Sequence, residues 1–492
     1  SGHIRKGTLK SHIGQELVRA WRVDKICWDV IDFHGMDLYG MAKRRAVLSV
    51  KREAAPSPLT LADAVSQVAE IAALQAAAAG VRRDGRVTLE GLWLGALPPT
   101  LAAWLKYDQR PLLIILPQVA EAEAVAAELS ELIAQPVDVF PPGSEETELE
   151  SLAHQETAQR LHVLSRLYKF NTDGKHGDRD RQGVPILTTT LPALLHSVPS
   201  PDSLEGDKQV LVSGKRVDLI ALRKWLLQSG YHTTSSVQLP GEFAVRGGIL
   251  DIYPPDEPLP IRVELFDDEI ESLRSFDVVS QRSIEQRDRL QLLAVQGSVA
   301  QDGSLLDYFP DDTLVVVFER ASIMVAGQMF LQRVPFPERF ASPETLWQRL
   351  LKHHTVLVSQ LADEGYLGEL QRLPLGNVER IGGDLEKLAQ DIDQQVGERQ
   401  VIVVAMNDGE RDRLQELLAS ATATQEQRLT VVVSQLLNGF EILPAGMFVL
   451  TAGQLLRRSH VRRVTKRSKS KPIDSFLDLK PGDLVVHLSH GI

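Results

Sequence analysis

The sequence predicts a multidomain α/β protein, on three observations. Between residues 111 and 190, short continuous apolar runs alternate with helical stripes, the order that builds a parallel sheet. From Ser236 to about Phe276 the pattern changes to long β-alternation, which marks an α+β module. Apolar runs at 355–361, 401–407, 430–435 and 447–453 then predict a second α/β unit.

Residues 1–57 show little sustained periodicity and carry the basic patches Lys43-Arg44-Arg45 and Lys51-Arg52, as expected of a loosely packed leader. The chain opens on Ser1, and its last ten residues, DLVVHLSHGI, stop inside a strand-like run. Both ends are expected to be cuts, with Met41 a plausible natural start. Leu59 to Ala79 is Ala-rich and predicts one helix. PLLIILP, 111–117, predicts a strand covered on both faces. The next helix lines up Ala122, Val125, Ala126, Leu129, Leu132 and Ile133. VDVF, 137–140, is the next strand. Glu145, Glu146 and Glu148 suit a helix N-terminus ahead of Leu149, Leu152, Leu161, Leu164 and Leu167. Asn171 to Gly183 is polar and glycine-rich, a surface loop. VPILTTT, 184–190, returns to strand. A helix from Val217 to Ser229 packs Leu219, Leu222, Trp225 and Leu226 and stops at Gly230.

Length suggests about three domains. The chain is 43% hydrophobic and 24% charged, enough to bury sizeable cores. With 65 acidic against 54 basic residues it is not built chiefly to wrap nucleic acid. No run approaches a membrane span and no signal peptide opens the chain, so a soluble, cytoplasmic protein is expected. Cys27 is the one cysteine, which excludes an internal disulfide and any multi-cysteine metal site.

An α/β sheet often carries a phosphate-binding loop, but G-x-x-x-x-G-K-[S/T] does not occur here. Where that loop would stand, the chain reads Gly95-Ala-Leu-Pro-Pro-Thr100, and prolines donate no N–H to a phosphate. His487 and His490 lack a third ligand, so no metal is expected. Asp267-Asp268-Glu269, flanked by alternating strands, predicts a solvated hairpin turn. No catalytic constellation stands out.

The informative stretch is Gly241–Phe276. Alternation in IRVELF puts Ile261, Val263 and Leu265 on one face, and Arg262, Glu264 and Phe266 on the other. In the preceding strand Phe243 and Val245 share a face, opposite Ala244 and Arg246. If the strands pair, Arg246, Arg262 and Phe266 form one patch of the residue types enriched at binding hot spots. The competing reading packs Phe266 under a loop and leaves the arginines to solvate the sheet.

GEFAVRGGILDIYPPDEPLPIRVELFDDEIESLRSFDVVSQRS closely resembles the segment shared by the transcription-repair coupling factors and the excision-repair protein UvrB. VFPPGSEETELESLAHQETAQRLHVLSRL (139–167), ILTTTLPALL (186–195) and LKPGDLVVHLSHGI (479–492) resemble the coupling factors. The resemblance covers about 85–492, with 171–183 as an insertion. It implies a UvrB-like parallel sheet with a degenerate P-loop-type site at Gly95 to Thr100, in two parts, 58–203 and 289–350. An α+β UvrA-binding domain, 204–288, is inserted between them. A family-variable α/β domain, 351–456, follows, then a basic linker, 457–478, and the start of an RNA-polymerase-interaction domain, 479–492.

By resemblance, the intact protein releases RNA polymerase stalled at DNA lesions by ATP-driven translocation on double-stranded DNA and recruits UvrA for nucleotide excision repair. ATP and Mg belong to a motor beyond Ile492, and this chain holds no cofactor. The family's UvrA-contacting residues map onto Arg246, Arg262 and Phe266. A monomer is expected. Two other classes compete. One is a UvrB-type helicase or nuclease, which needs the missing glycine-rich loop. The other is a DNA-binding module acting through the eight basic residues of 457–471, among them Arg457, Arg458, Arg462, Arg463, Lys466 and Arg467. The remaining chain would carry 46 basic against 65 acidic residues and repel phosphate.

Overall fold

The computed structural model describes residues 58–143, 150–173, 183–206, 208–294, 302–361, 365–378 and 387–456. The leader at 1–57, the acidic run Glu145–Glu148, most of the 171–183 loop, the basic stretch 457–478 and the terminal 479–492 lie outside the described residues.

Helices α1 (Leu61–Ala69) and α2 (Ala72–Asp84) precede β1 (Arg86–Glu90). One helix was expected from Leu59 to Ala79; instead the chain breaks at Glu70–Ile71. Thr60 and Asp63 form a capping box at the start of α1. At the break, the freed carbonyl of Ala69 accepts from the Tyr107 hydroxyl and the Gln75 amide. Those partners offset the lost helical bonds, and Tyr107, 38 residues on, is invisible to local propensity. Gly85, at φ +77°, closes α2, where only glycine turns without strain.

Next come α3 (Leu97–Trp104), β2 (Leu112–Leu116), α4 (Val119–Ile133), β3 (Asp138–Phe140) and α5 (Glu150–Asp173), which runs three residues into the expected loop. β4 (Ile186–Thr190) and α6 (Leu191–Leu195) follow. After the inserted module, β13 (Leu314–Phe318), α8 (Arg320–Arg333), α9 (Pro343–Leu350), β14 (His354–Ser359) and β15 (Glu369–Arg372) complete the layer. The parallel sheet has seven strands, in the order β15-β1-β14-β13-β2-β4-β3.

Strand 355–361 was assigned to the second α/β unit and the domain boundary to 350/351. The structure corrects both: β14 pairs between β1 and β13 near the centre of the first sheet, and β15 follows β1 at its edge. A strand buried on both faces reads alike in either sheet, so pairing alone decides its home.

Alternate residues of the sheet bury on opposite faces. Ile114, Leu116, Val316 and Val356 pack with Leu74, Leu97, Leu101 and Leu129. Leu113, Ile115, Val315 and Val317 pack with Leu161, Leu164, Leu194 and Leu346 on the other side.

The insert opens with β5 (Lys208–Val212), which pairs with its closing strand β12 (Arg289–Leu293). Between them lie α7 (Leu219–Gln228), β6 (His232–Thr233), β7 (Glu242–Arg246), β8 (Ile249–Ile252), β9 (Ile261–Phe266), β10 (Glu269–Phe276) and β11 (Ser283–Arg287). β6 to β11 form one sheet in sequential order. Asp218 caps α7 with its carboxylate. Leu222 and Leu226 pack α7 into the same core as Phe243, Leu250, Val263 and Leu273, which line the inner face of the sheet. Lys169 Nζ on α5 reaches the buried Asp256 carboxylate at 2.9 Å, tying the insert to the parallel-sheet layer.

The last unit contains β16 (Leu375–Asn377), α10 (Leu388–Val396), β17 (Gln400–Ala405), α11 (Asp408–Leu418), β18 (Leu429–Val433), β19 (Phe440–Ile442) and β20 (Met447–Thr451). Its sheet runs β16-β19-β20-β17-β18. One face, with Ile402, Phe440, Ile442 and Val449, joins the core around α1 to α4. Among the described residues no single helix is long and apolar enough to cross a membrane.

Candidate functional site

Two places could carry function. The first is the turn after β1. A 3₁₀ turn, Leu94–Ala96, leads directly into α3, whose first turn contains Pro98 and Pro99. Gly95 to Thr100 are all buried. A Cβ on Gly95 would stand 2.3 Å from Cβ of Asn438, so the last α/β unit fills the space in front of the turn. The Thr100 hydroxyl donates to the Ala96 carbonyl at 2.7 Å and is not available to a phosphate. The prolines remove donors and Asn438 removes the volume. Among the described residues no three His, Cys, Asp or Glu side chains gather to hold a metal.

The second is the outer face of the inserted sheet. In antiparallel pairs, residues opposite each other share a face. The register aligns Ala244, Asp251, Arg262 and Arg274 in one row. It aligns Arg246, Ile249, Glu264 and Ser272 in the next. Phe266 and Glu269 form a third, closed by a two-residue turn with Asp267 at φ +58°. The hairpin expected at Asp267-Asp268-Glu269 is present, and Arg246, Arg262 and Phe266 do lie on one face.

They are not equivalent. Phe266 is 78% exposed, so it is not packed under a loop. Arg246 is exposed, its guanidinium donating only to the Ser235 carbonyl among the described residues. Arg262 is engaged: its Nε and Nη2 donate to the two Asp251 carboxylate oxygens at 2.7 and 2.8 Å. It also stacks 4.6 Å from the Phe276 ring and donates to Gln281 at 3.2 Å. The side chains of this pair are only 20% and 7% exposed, and the Asp251 carboxylate raises the guanidinium above its ordinary pKa. β8 stands between β7 and β9, so Arg246 neighbours Ile249 and does not touch β9. The alternation of IRVELF shows the faces but not Asp251, which register brings to Arg262 from eleven residues upstream.

This sheet lies within a stretch that matches a known family. The family model described as the UvrB interaction domain matches residues 210–297, from within β5 to just past β12. A transcription-repair-coupling factor of Haemophilus influenzae is 25% identical over 469 residues, covering 78% of this chain and 40% of that protein. One from Bacillus subtilis is 23% identical over 82% of this chain and 41% of its own length. One from Escherichia coli reaches 32% identity over 43% of this chain and 18% of its own. The chain is a relative of the transcription-repair-coupling factors. It spans about two-fifths of the length of the first two.

The family resemblance read from the residues therefore holds over most of the chain, and the UvrB interaction domain is its inserted α+β module. Sequence reading missed Ile249 on the outer face of this domain, an apolar side chain 38% exposed between Arg246 and Glu264. Its signal was available: it stands three residues after Arg246, across the Gly247-Gly248 turn.

Proposed function

We propose that this chain is the recruitment part of a transcription-repair-coupling factor, docking UvrA on the outer face of its UvrB interaction domain. Arg246 and Phe266 make the contact, and Arg262 holds β8 and β9 in place beneath it. In the intact protein, a motor using ATP and Mg moves on double-stranded DNA to release stalled RNA polymerase, and UvrA is then brought to the lesion. The protein works in the cytoplasm, as a monomer. Any DNA binding by this chain is weak and salt-sensitive, through Arg457, Arg458, Arg462, Arg463, Lys466 and Arg467.

The observation that carries this reading is Phe266, a large aromatic held in solvent on the same sheet face as exposed Arg246, within the domain that the family model names for interaction. Titration of UvrA against wild type and Phe266→Ala tests it. A loss of about thirtyfold is expected, since truncating a central aromatic costs ~2 kcal/mol or more. Equal affinities would remove the site. DNA-stimulated phosphate release by the purified chain, abolished by one lysine substitution, would favour an enzyme instead.

A further inference from the structure

The outer face of the inserted sheet continues past β10. Residues 214–217 run alongside the β9–β10 hairpin: Lys215 carbonyl accepts from Ile270 N–H at 2.9 Å, and Val217 N–H donates to Asp268 carbonyl at 2.8 Å. These two bonds flank an antiparallel bridge between Arg216 and Glu269. Residues so bridged project on the same side. Arg216 therefore joins the row of Phe266 and Glu269. Its side chain is 78% exposed, and its one ion pair among the described residues, to Asp268 at 3.7 Å, is itself exposed. Such a surface pair contributes little, so a better anion replaces it at small cost.

Arg246 and Arg216 thus bracket the face. Four strand spacings separate them, about 19 Å at ~4.8 Å each. Exposed Ile249 and Phe266 lie between. Among the described residues nothing comparable is found on the inner face, against which α7 packs.

We infer that Arg216 and Ile249 are further contact residues of this docking surface. The partner then presents two acidic groups roughly 20 Å apart, on either side of an apolar contact. This rests on the UvrA reading above. Arginine suits both ends because its planar fork engages a carboxylate bidentately.

The test is calorimetric titration of UvrA against the full chain carrying Arg216→Ala, Arg216→Glu, Ile249→Ala, Phe266→Ala or Arg223→Glu, each with a thermal melt. Arg223 is exposed on α7, across the sheet from the surface. Arg216→Ala and Ile249→Ala should each weaken binding about fivefold, and Arg216→Glu about thirtyfold. Melting temperatures should hold, because the bridge at Arg216 is made by backbone groups. Arg223→Glu should bind as wild type. If Phe266→Ala weakens binding while Arg216→Glu and Ile249→Ala do not, the wider surface is wrong and the UvrA reading stands. If Arg223→Glu loses as much as Arg216→Glu, the effect is long-range charge and the contact is overturned. If Phe266→Ala also binds as wild type, the UvrA reading falls and this inference with it.

Discussion

At the end of β1, six consecutive residues from Gly95 to Thr100 are folded into a helix start and buried. On the outer face of the inserted sheet, Arg246 and Phe266 keep their side chains in water. The first place has the position of a ligand loop and the chemistry of a core. The second is an open sheet face with an arginine fork and an aromatic, the groups that make protein contacts strong. The closing of the one place and the openness of the other are both written in residue type. Two prolines and an apolar run suffice to close a loop, whereas a docking face needs large side chains left uncovered.

Four measurements sharpen or break this contrast. The largest effect is expected for Leu97→Ala, at the centre of the closed turn and fully buried. It should cost ~2–5 kcal/mol in denaturant unfolding, as large-to-small core changes do. A near-neutral result would mean that the turn is open in solution.

Acid should weaken the closed layer next. His196 is buried against Phe330 and Phe340, and burial, with Arg160 nearby, pushes its imidazole down to about 4. The folded state thus binds the proton less readily than the unfolded chain, near 6.5. Stability present above pH 6.5 falls as pH drops toward 4, by roughly 3 kcal/mol. His196→Phe should flatten that slope in melts across the range; an unchanged slope would place its origin elsewhere.

Arg262→Ala should cost about 2 kcal/mol of stability, since it leaves the Asp251 carboxylate buried without its hydrogen-bond donors. It should weaken UvrA binding as well. Phe266→Ala should move stability least, by under ~0.5 kcal/mol, as for surface sites in general, while lowering affinity. If the two variants behaved alike in the melts, the division between a holding arginine and a contacting phenylalanine would fail.

The legible parts of the fold were those fixed by period. PLLIILP gave a strand buried along its length, and IRVELF sorted Val263 inward and Phe266 outward because alternation is a local property. The destination of the strand at 354–359 was not legible, since a fully apolar strand carries no mark of its neighbours. Nor was the break at Glu70–Ile71, which depends on Tyr107 from another helix end. At the docking face, residue types named Arg246, Arg262 and Phe266, but Arg262's commitment to Asp251 and Arg216's place beside Glu269 follow from register, a long-range property.

The second α/β sheet has a mechanical meaning. Ile402, Phe440 and Val449 share one close-packed core with Leu97 and Leu101, and Leu373 on the connecting segment and Leu375 at the start of β16 are buried in it too. Close-packed interiors deform little and transmit strain. A load on β20 is therefore passed to α3 through the side chains of this shared core. Asn438, packed against Gly95, is one point where the five-stranded sheet bears on the parallel-sheet layer.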